Sequence, residues 1–199
     1  MRYADIKPND SINGEGVCVS LFVQGCDNAC EGCFNKETWD FKGGKEFTCK
    51  EIKYIIESIE KNGIKRNFSL LGGEPMHLKN IDTVLSVLHQ IKQVYPKIKT
   101  YVWTGYLFED LQKLHGNSIF QNIDILIDGR FEIDKKDLTL RFRGSSNQRI
   151  IDVQKSLKQN KIIEYIGENS SVNRKLCIED LIIYVLRGID YTKSKKEMN

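Results

Sequence analysis

Val17-Cys18-Val19-Ser20-Leu21-Phe22-Val23-Gln24-Gly25-Cys26-Asp27-Asn28-Ala29-Cys30-Glu31-Gly32-Cys33-Phe34 joins a strand to a cluster of thiols. From Val17 to Gln24 the side chains alternate, with Val17, Val19, Leu21 and Val23 on one face and Cys18, Ser20, Phe22 and Gln24 on the other. Both faces are largely apolar, which predicts a strand covered on two sides, as in a parallel sheet. Gly25 ends the strand, and Cys26, Cys30 and Cys33 follow at once. A loop this short can wrap three thiolates around one metal centre. Closed structural zinc sites and ordinary Fe–S clusters use four protein ligands. A [4Fe–4S] cluster held by Cys26, Cys30 and Cys33 alone would leave one iron open, and an open position means chemistry rather than stapling. Zinc with a distant fourth ligand and reactive thiols are the alternatives. Cys18, Cys49 and Cys177 are the other cysteines; none has metal-ligand spacing, and each reads as a small hydrophobe.

Outward from this stretch the chain keeps a regular rhythm. Residues 1–16 read as irregular, with a glycine turn at Ser11-Ile12-Asn13-Gly14-Glu15-Gly16. Thr48 and Glu51 form a capping box ahead of Ile52, Ile55, Ile56 and Ile59, which share one helical stripe. Phe68 to Leu71 is a strand ending in Gly72-Gly73-Glu74-Pro75. Ile81, Val84, Leu85, Leu88 and Ile91 mark a helix. Thr100 to Trp103 is a strand closed by Thr104-Gly105, and Leu107, Leu111 and Leu114 mark a third helix. Ile123 to Ile127 is a strand ended by Asp128-Gly129. Strands alternating with helices predict βαβ units, a parallel sheet and right-handed crossovers. In such folds chemistry collects at the C-terminal ends of the strands, where the cysteine loop, Gly-Gly-Glu, Thr-Gly and Asp-Gly all fall.

Beyond Arg130 the pattern weakens. Residues 140–151 read as strand or loop, 152–164 as helix, and 167–173 as a polar linker. Leu176 to Leu186 is an apolar block whose period does not separate helix from strand. The tail from Thr192 is expected to be disordered.

The chain has 199 residues, 40% hydrophobic and 29% charged, with a net charge of +3. These values suit one soluble domain with a small appendage. The charge is too small and dispersed to argue for nucleic acid. No run approaches the ~18 apolar residues of a membrane helix, and the first residues lack the apolar core of a signal peptide. A cytoplasmic protein is expected, and in a reducing compartment clustered cysteines read as metal ligands rather than disulfides.

Gly72-Gly73-Glu74 offers a bare backbone edge and one carboxylate, suited to an ammonium group; the plain alternative is a strand-to-helix turn. Asp128-Gly129-Arg130 is either a polar strand end or a turn with a surface ion pair. His89 and His115 read as surface or half-buried helix residues, and His77 as a neighbour of the site rather than a ligand. Trp39 and Trp103 read as core or site wall. Arg141, Arg143 and Arg149 are the best candidates for meeting an anionic or protein partner, against a default of a solvated face.

Cys26-x3-Cys30-x2-Cys33 resembles the radical S-adenosylmethionine (SAM) superfamily, and Gly72-Gly73-Glu74 looks like its segment for the methionine amino group. Within it, Asn13-Gly14-x-Gly16, Gly32-Cys33-Phe34-Asn35-Lys36-x-Thr38-Trp39, Trp103-Thr104-Gly105-Tyr106, Asp128-Gly129-Arg130-Phe131 and Arg143-Gly144-Ser145-Ser146-Asn147-Gln148 resemble the activating proteins of anaerobic ribonucleoside-triphosphate reductase. These segments span roughly residues 1–165. Many superfamily members carry an aromatic residue before the third cysteine; here Gly32 holds that position and Phe34 supplies the ring.

The resemblance implies a partial, open (β/α) barrel of the radical SAM type with mostly parallel strands over residues 1–166, and an extension of unassigned role over 167–199. It implies a [4Fe–4S] cluster on Cys26, Cys30 and Cys33, with SAM on the open iron. The amino group would meet Gly72, Gly73 and Glu74, and Gly32 and Phe34 would flank the adenine. An electron from a flavodoxin-like donor would cleave SAM to methionine and a 5′-deoxyadenosyl radical, which would take a hydrogen from a glycine of the reductase. No general base is implied, because the cofactor carries the chemistry. Another radical SAM enzyme, such as 7-carboxy-7-deazaguanine synthase, shares the Gly-x-Gly and Gly-Gly-Glu segments; the segments at Trp103 and Gly144 speak against it. A non-enzymatic zinc or Fe–S interaction module is the third reading, separated from the others by metal content.

Overall fold

A computed structural model of the chain describes residues 1–167, of which Met1–Tyr165 form one compact unit. The readings for the linker beyond Gly167, Cys177, the apolar block and the tail lie outside the described residues.

The unit contains seven strands, β1 (Arg2–Asp10), β2 (Cys18–Val23), β3 (Lys45–Glu46), β4 (Asn67–Gly72), β5 (Thr100–Trp103), β6 (Ile125–Asp128) and β7 (Arg149–Asp152). Its α-helices are α1 (Cys49–Ile59), α2 (Ile81–Val94), α3 (Phe108–His115) and α4 (Val153–Gln159). One sheet runs in the order β3-β1-β2-β4-β5-β6-β7. Strands β2, β4, β5 and β6 are parallel, while β1 and β7 run antiparallel to their neighbours. The sheet is mixed α/β and mostly parallel in direction, and it stays open between β3 and β7.

The register explains where the site must lie. Val23 pairs with Gly72, and Trp103 with Ile127. The loops after β2, β4, β5 and β6 therefore emerge at the same end of the sheet. The apolar stripes of all four helices meet in one cluster on one sheet face, with Ile55 and Ile59 of α1, Val84, Leu88 and Ile91 of α2, Leu111 of α3 and Val153 of α4. Each fully buried side chain of this kind contributes roughly 1.5–3 kcal/mol. The opposite face carries Tyr101, Ile125 and Ile127, and the 138–148 loop packs on it through Phe142. Helices thus cover one face, as right-handed crossovers require.

The expectation that residues 1–16 are irregular is corrected by β1. Its sequence, Arg2-Tyr3-Ala4-Asp5-Ile6-Lys7-Pro8-Asn9-Asp10, lacks an apolar run, and Pro8 argues against a central strand. Pairing with β2 overrides that local preference. The turn that follows is held by Asp10, whose carboxylate accepts hydrogen bonds from the Ile12 amide at 2.9 Å and the Asn13 side chain at 2.7 Å. The fourth helix is shorter than 152–164. Asp152 caps it by accepting from the Lys155 amide at 3.0 Å, and Asn160, in the left-handed region at φ 48°, ends it. The chain then returns alongside β7, with the Tyr165 amide donating to the Ile150 carbonyl at 2.8 Å.

Candidate metal and cofactor site

The cysteine loop leaves β2 through Gly25, whose φ of 100° is open to glycine alone at little cost. A returning segment supports it from outside: the Gly25 amide donates to the Thr38 carbonyl at 2.8 Å, and the Cys26 amide to the Trp39 carbonyl at 3.0 Å. Trp39 is thus part of the site wall. Within the loop, Ala29 stands at φ 49°, a strained position for a residue with a Cβ. Gly32 stands at φ 71°, in the left-handed region that favours glycine, and the ring comes from Phe34 two residues on.

Cys26, Cys30 and Cys33 are all half-buried and line one cavity of about 520 Å³. Burial pushes the Cys26 thiol up to about 11, and the Glu74 charge adds to the rise. Burial also raises Cys30, against the pull of the Phe131 amide and the Arg130 charge. Thiols in this state carry protons at neutral pH, and a bound cation would displace them. No group of three or more His, Cys, Asp or Glu among the described residues is arranged to hold a single metal ion. The thiolates of an Fe–S cluster bind separate irons, so three spaced thiols on one cavity wall fit a cluster. Cys18 is fully buried at the start of β2, the opposite end of the strand from the loop, and Cys49 is exposed at the start of α1.

The Gly72-Gly73-Glu74 segment lines the same cavity as the thiols. Its glycines have a packing cause. A Cβ on Gly72 would come within 2.8 Å of the Val23 backbone, and one on Gly73 within 2.6 Å of the Gly25 carbonyl oxygen. The two strand ends are in backbone contact, locked by the Gly73 amide donating to the Val23 carbonyl and the Glu74 amide to the Gly25 carbonyl, both at 2.8 Å.

Glu74 is 1% exposed. Its Oε1 accepts from the Met76 amide at 3.0 Å and the Thr104 hydroxyl at 2.7 Å. Its Oε2 accepts from the Asn28 side chain at 2.9 Å and the Gly105 amide at 2.7 Å. Burial raises its pKa, opposed by these same donors. Three of the donors are nitrogens with no acceptor capacity, so the arrangement suits the ionised carboxylate. Asn28, Thr104 and Asn80, which donates to the Gln24 and Glu74 carbonyls at 3.1 and 3.0 Å, are the site residues that sequence reasoning missed. The signals for Thr104 were its place at the C-terminal end of a parallel strand and the Trp103-Thr104-Gly105-Tyr106 match; neither gave its side chain a role.

Part of the cavity wall is aromatic. Phe34 meets Phe131 edge-on at 5.6 Å, with the Lys136 ammonium 5.2 Å from the Phe34 ring centre. A Cβ on Gly144 would lie 2.9 Å from Phe131, which explains the glycine there. The Gly144-Ser145-Ser146-Asn147-Gln148 segment clamps the loop after β6: the Gln148 side chain donates to the Gly129 carbonyl at 2.9 Å, and Asn147 donates to the Arg130 carbonyl at 2.8 Å. Trp103 lines the cavity and donates to the Phe142 carbonyl at 2.8 Å.

The remaining polar candidates separate. Asp128 is fully buried; it accepts from the Phe108 amide at 2.8 Å at the start of α3 and pairs with Arg149, which also grips Glu109 at 2.7 Å. Arg149 is therefore a structural clamp and not a surface for a partner. Arg141 pairs with Glu15 at 2.9 Å, whereas Arg130 and Arg143 line the cavity. His77 stands 3.3 Å from Asp27, and its ring lies against Phe41 at 4.6 Å, beside the site. His89 is exposed and His115 half-buried.

Comparison with known proteins adds a family. A family model described as a 4Fe-4S single cluster domain matches residues 12–151. A protein of Pasteurella multocida named anaerobic ribonucleoside-triphosphate reductase-activating protein is 41% identical over 152 residues, covering 75% of this chain and 96% of the relative. Proteins of the same name from Escherichia coli K12 and phage T4 are 39% and 36% identical, covering 74% and 75% of this chain and 96% and 93% of theirs.

Proposed function

The chain belongs to the family of anaerobic ribonucleoside-triphosphate reductase-activating proteins and carries its 4Fe-4S single cluster domain, and from that premise we propose that it activates such a reductase by generating a glycyl radical on it. The observation that carries this reading is the meeting of Cys26, Cys30 and Cys33 with the Gly72–Glu74 edge on one cavity at the C-terminal ends of the parallel strands. When bound, a [4Fe–4S] cluster and SAM supply reductive cleavage of the sulfonium, the radical source of the reaction.

The residues divide the work of holding these groups. Cys26, Cys30 and Cys33 are the cluster ligands. Gly72, Gly73 and Glu74 form the edge that receives the amino end of SAM, and Gly32, Cys33 and Phe34 form the wall for its adenine, with Phe131 behind Phe34. The cavity walls exclude water and hold the reacting groups close to one C–H bond. Ile12 and Leu138, 77% and 75% exposed, line the same cavity and give the reductase's glycine-bearing segment an apolar entrance. A flavodoxin-like protein supplies the electron. The open sheet is a partial (β/α) barrel of the radical SAM type, residues 1–166 form the catalytic domain, and residues 167–199 are an extension. The reaction is placed in the cytoplasm; no helix among the described residues is long and apolar enough to cross a membrane.

Anaerobic incubation with SAM and dithionite tests the reading. Methionine and 5′-deoxyadenosine should form in equal amounts on the iron-loaded chain. SAM left intact by a chain that holds its full iron would contradict it.

A further inference from the structure

Resting on the SAM reading above, we propose that Glu74 is a positioning residue: its carboxylate fixes Asn28 and thereby the cysteine loop, and is not itself a partner of the ligand's amino group. A carboxylate has about four lone-pair sites. Met76, Thr104, Asn28 and Gly105 occupy four with donors at 2.7–3.0 Å. An arriving ammonium group would have to displace one of them in a site where Glu74 is 1% exposed.

The donors also come from separate loops. Asn28 belongs to the cysteine loop, Met76 follows β4, and Thr104 and Gly105 follow β5. One buried charge therefore ties three strand ends together. Asn28 is seated tightly, since a Cβ on Gly105 would fall 2.5 Å from its side-chain nitrogen. A second observation explains why the loop needs the tie. Ala29, between the pinned Asn28 and Cys30, holds φ 49°, a conformation an unrestrained loop would leave. Thr104 completes the arrangement by accepting from the Tyr106 amide at 3.1 Å while it donates to Glu74.

The test compares Glu74→Gln, Asn28→Ala and the double variant, reconstituted anaerobically. Affinities are measured by calorimetry for SAM and for its analogue lacking the amino group. Asn28→Ala keeps the carboxylate and its three other donors, so it remains informative if Glu74→Gln folds poorly. Each single variant should weaken SAM binding about tenfold, the usual scale for an outer-shell partner of a metal site. The double variant should lose no more than either single one, and the loss should persist with the des-amino analogue. Ala29→Gly, which relieves the backbone demand, should recover part of the affinity of Asn28→Ala. In the metal-free chain, hydrogen exchange at the Cys30 and Gly105 amides should quicken in both single variants. A Glu74→Gln penalty that vanishes with the des-amino analogue, with Asn28→Ala binding SAM normally, would overturn the proposal. An unsubstituted chain that holds iron but has no affinity for SAM would overturn the reading of the cavity itself, and that result precedes every variant.

Discussion

Cys30 and Cys49 illustrate how burial and company separate two chemically identical side chains. Cys30 shares a cavity wall with two other thiols, whereas Cys49 is exposed at the first turn of α1. Cys30→Ala should therefore abolish bound iron after reconstitution, and Cys49→Ala should leave iron and sulfide at about four each per chain. Iron and sulfide analysis checks both, and equal losses would mean that the ligand set is wrong. The thiols were legible in the sequence because their spacing is local. The partners of Glu74 were not, because Asn28 and Thr104 lie 46 and 30 residues away. The glycines beside Glu74 were legible as a bare edge, but their cause was not. A neighbouring backbone, and not only a ligand, forbids the side chain there.

Between elements, the clamp of Arg149 on Asp128 and Glu109 joins β7, β6 and the first turn of α3. In the sequence Arg149 reads as a solvated face or a candidate for a partner, because the pairing depends on the antiparallel return of β7 opposite Asp128, which no local pattern announces. Arg149→Ala would leave the fully buried Asp128 without its cation. The cost should be about 3 kcal/mol, the low end for a broken buried pair because Arg149 is 28% exposed, read from urea unfolding. Glu109 adds a pH signature. Its hydrogen bonds with Arg149 hold its carboxyl below the usual 4.5. A lowered folded-state value contributes stability that is present above 4.5 and is lost as the pH falls through the lower, folded value. Glu109→Gln should therefore be less stable than the native chain at pH 7, and the gap should close in acid below pH 4.5. A gap that stays constant down to pH 3 would remove the ion pair from the account.

For the molecule as a whole, the βαβ rhythm was legible because α1 and α2 show their stripes and each central strand its apolar run, whereas of the Leu107, Leu111 and Leu114 read for α3 only Leu111 is buried. Thr100–Trp103 and the Thr48 cap appear as read. The flanking strands were less legible: β1 reads as irregular and the β7 region as strand or loop. β1 and β7 owe their state to pairing with a neighbour and carry polar, mixed sequences. The same contrast bears on domain extent. The strand-like return at Tyr165 closes the last pairing of the unit, and relatives spanning 96% of their own length match about three quarters of this chain. A chain ended after residue 167 should still unfold cooperatively and still reconstitute its iron; loss of both would make the remaining residues part of the fold.

The central claim is that a glycine of a reductase is the final target, and electron paramagnetic resonance of that reductase tests it most directly. The iron-loaded chain, SAM, a reduced flavodoxin and a candidate anaerobic ribonucleoside-triphosphate reductase are incubated without oxygen. A glycyl-radical doublet should appear on the reductase, and it should be absent when Cys30→Ala replaces the native chain. Full cleavage of SAM with no doublet on any anaerobic reductase offered would contradict the claim.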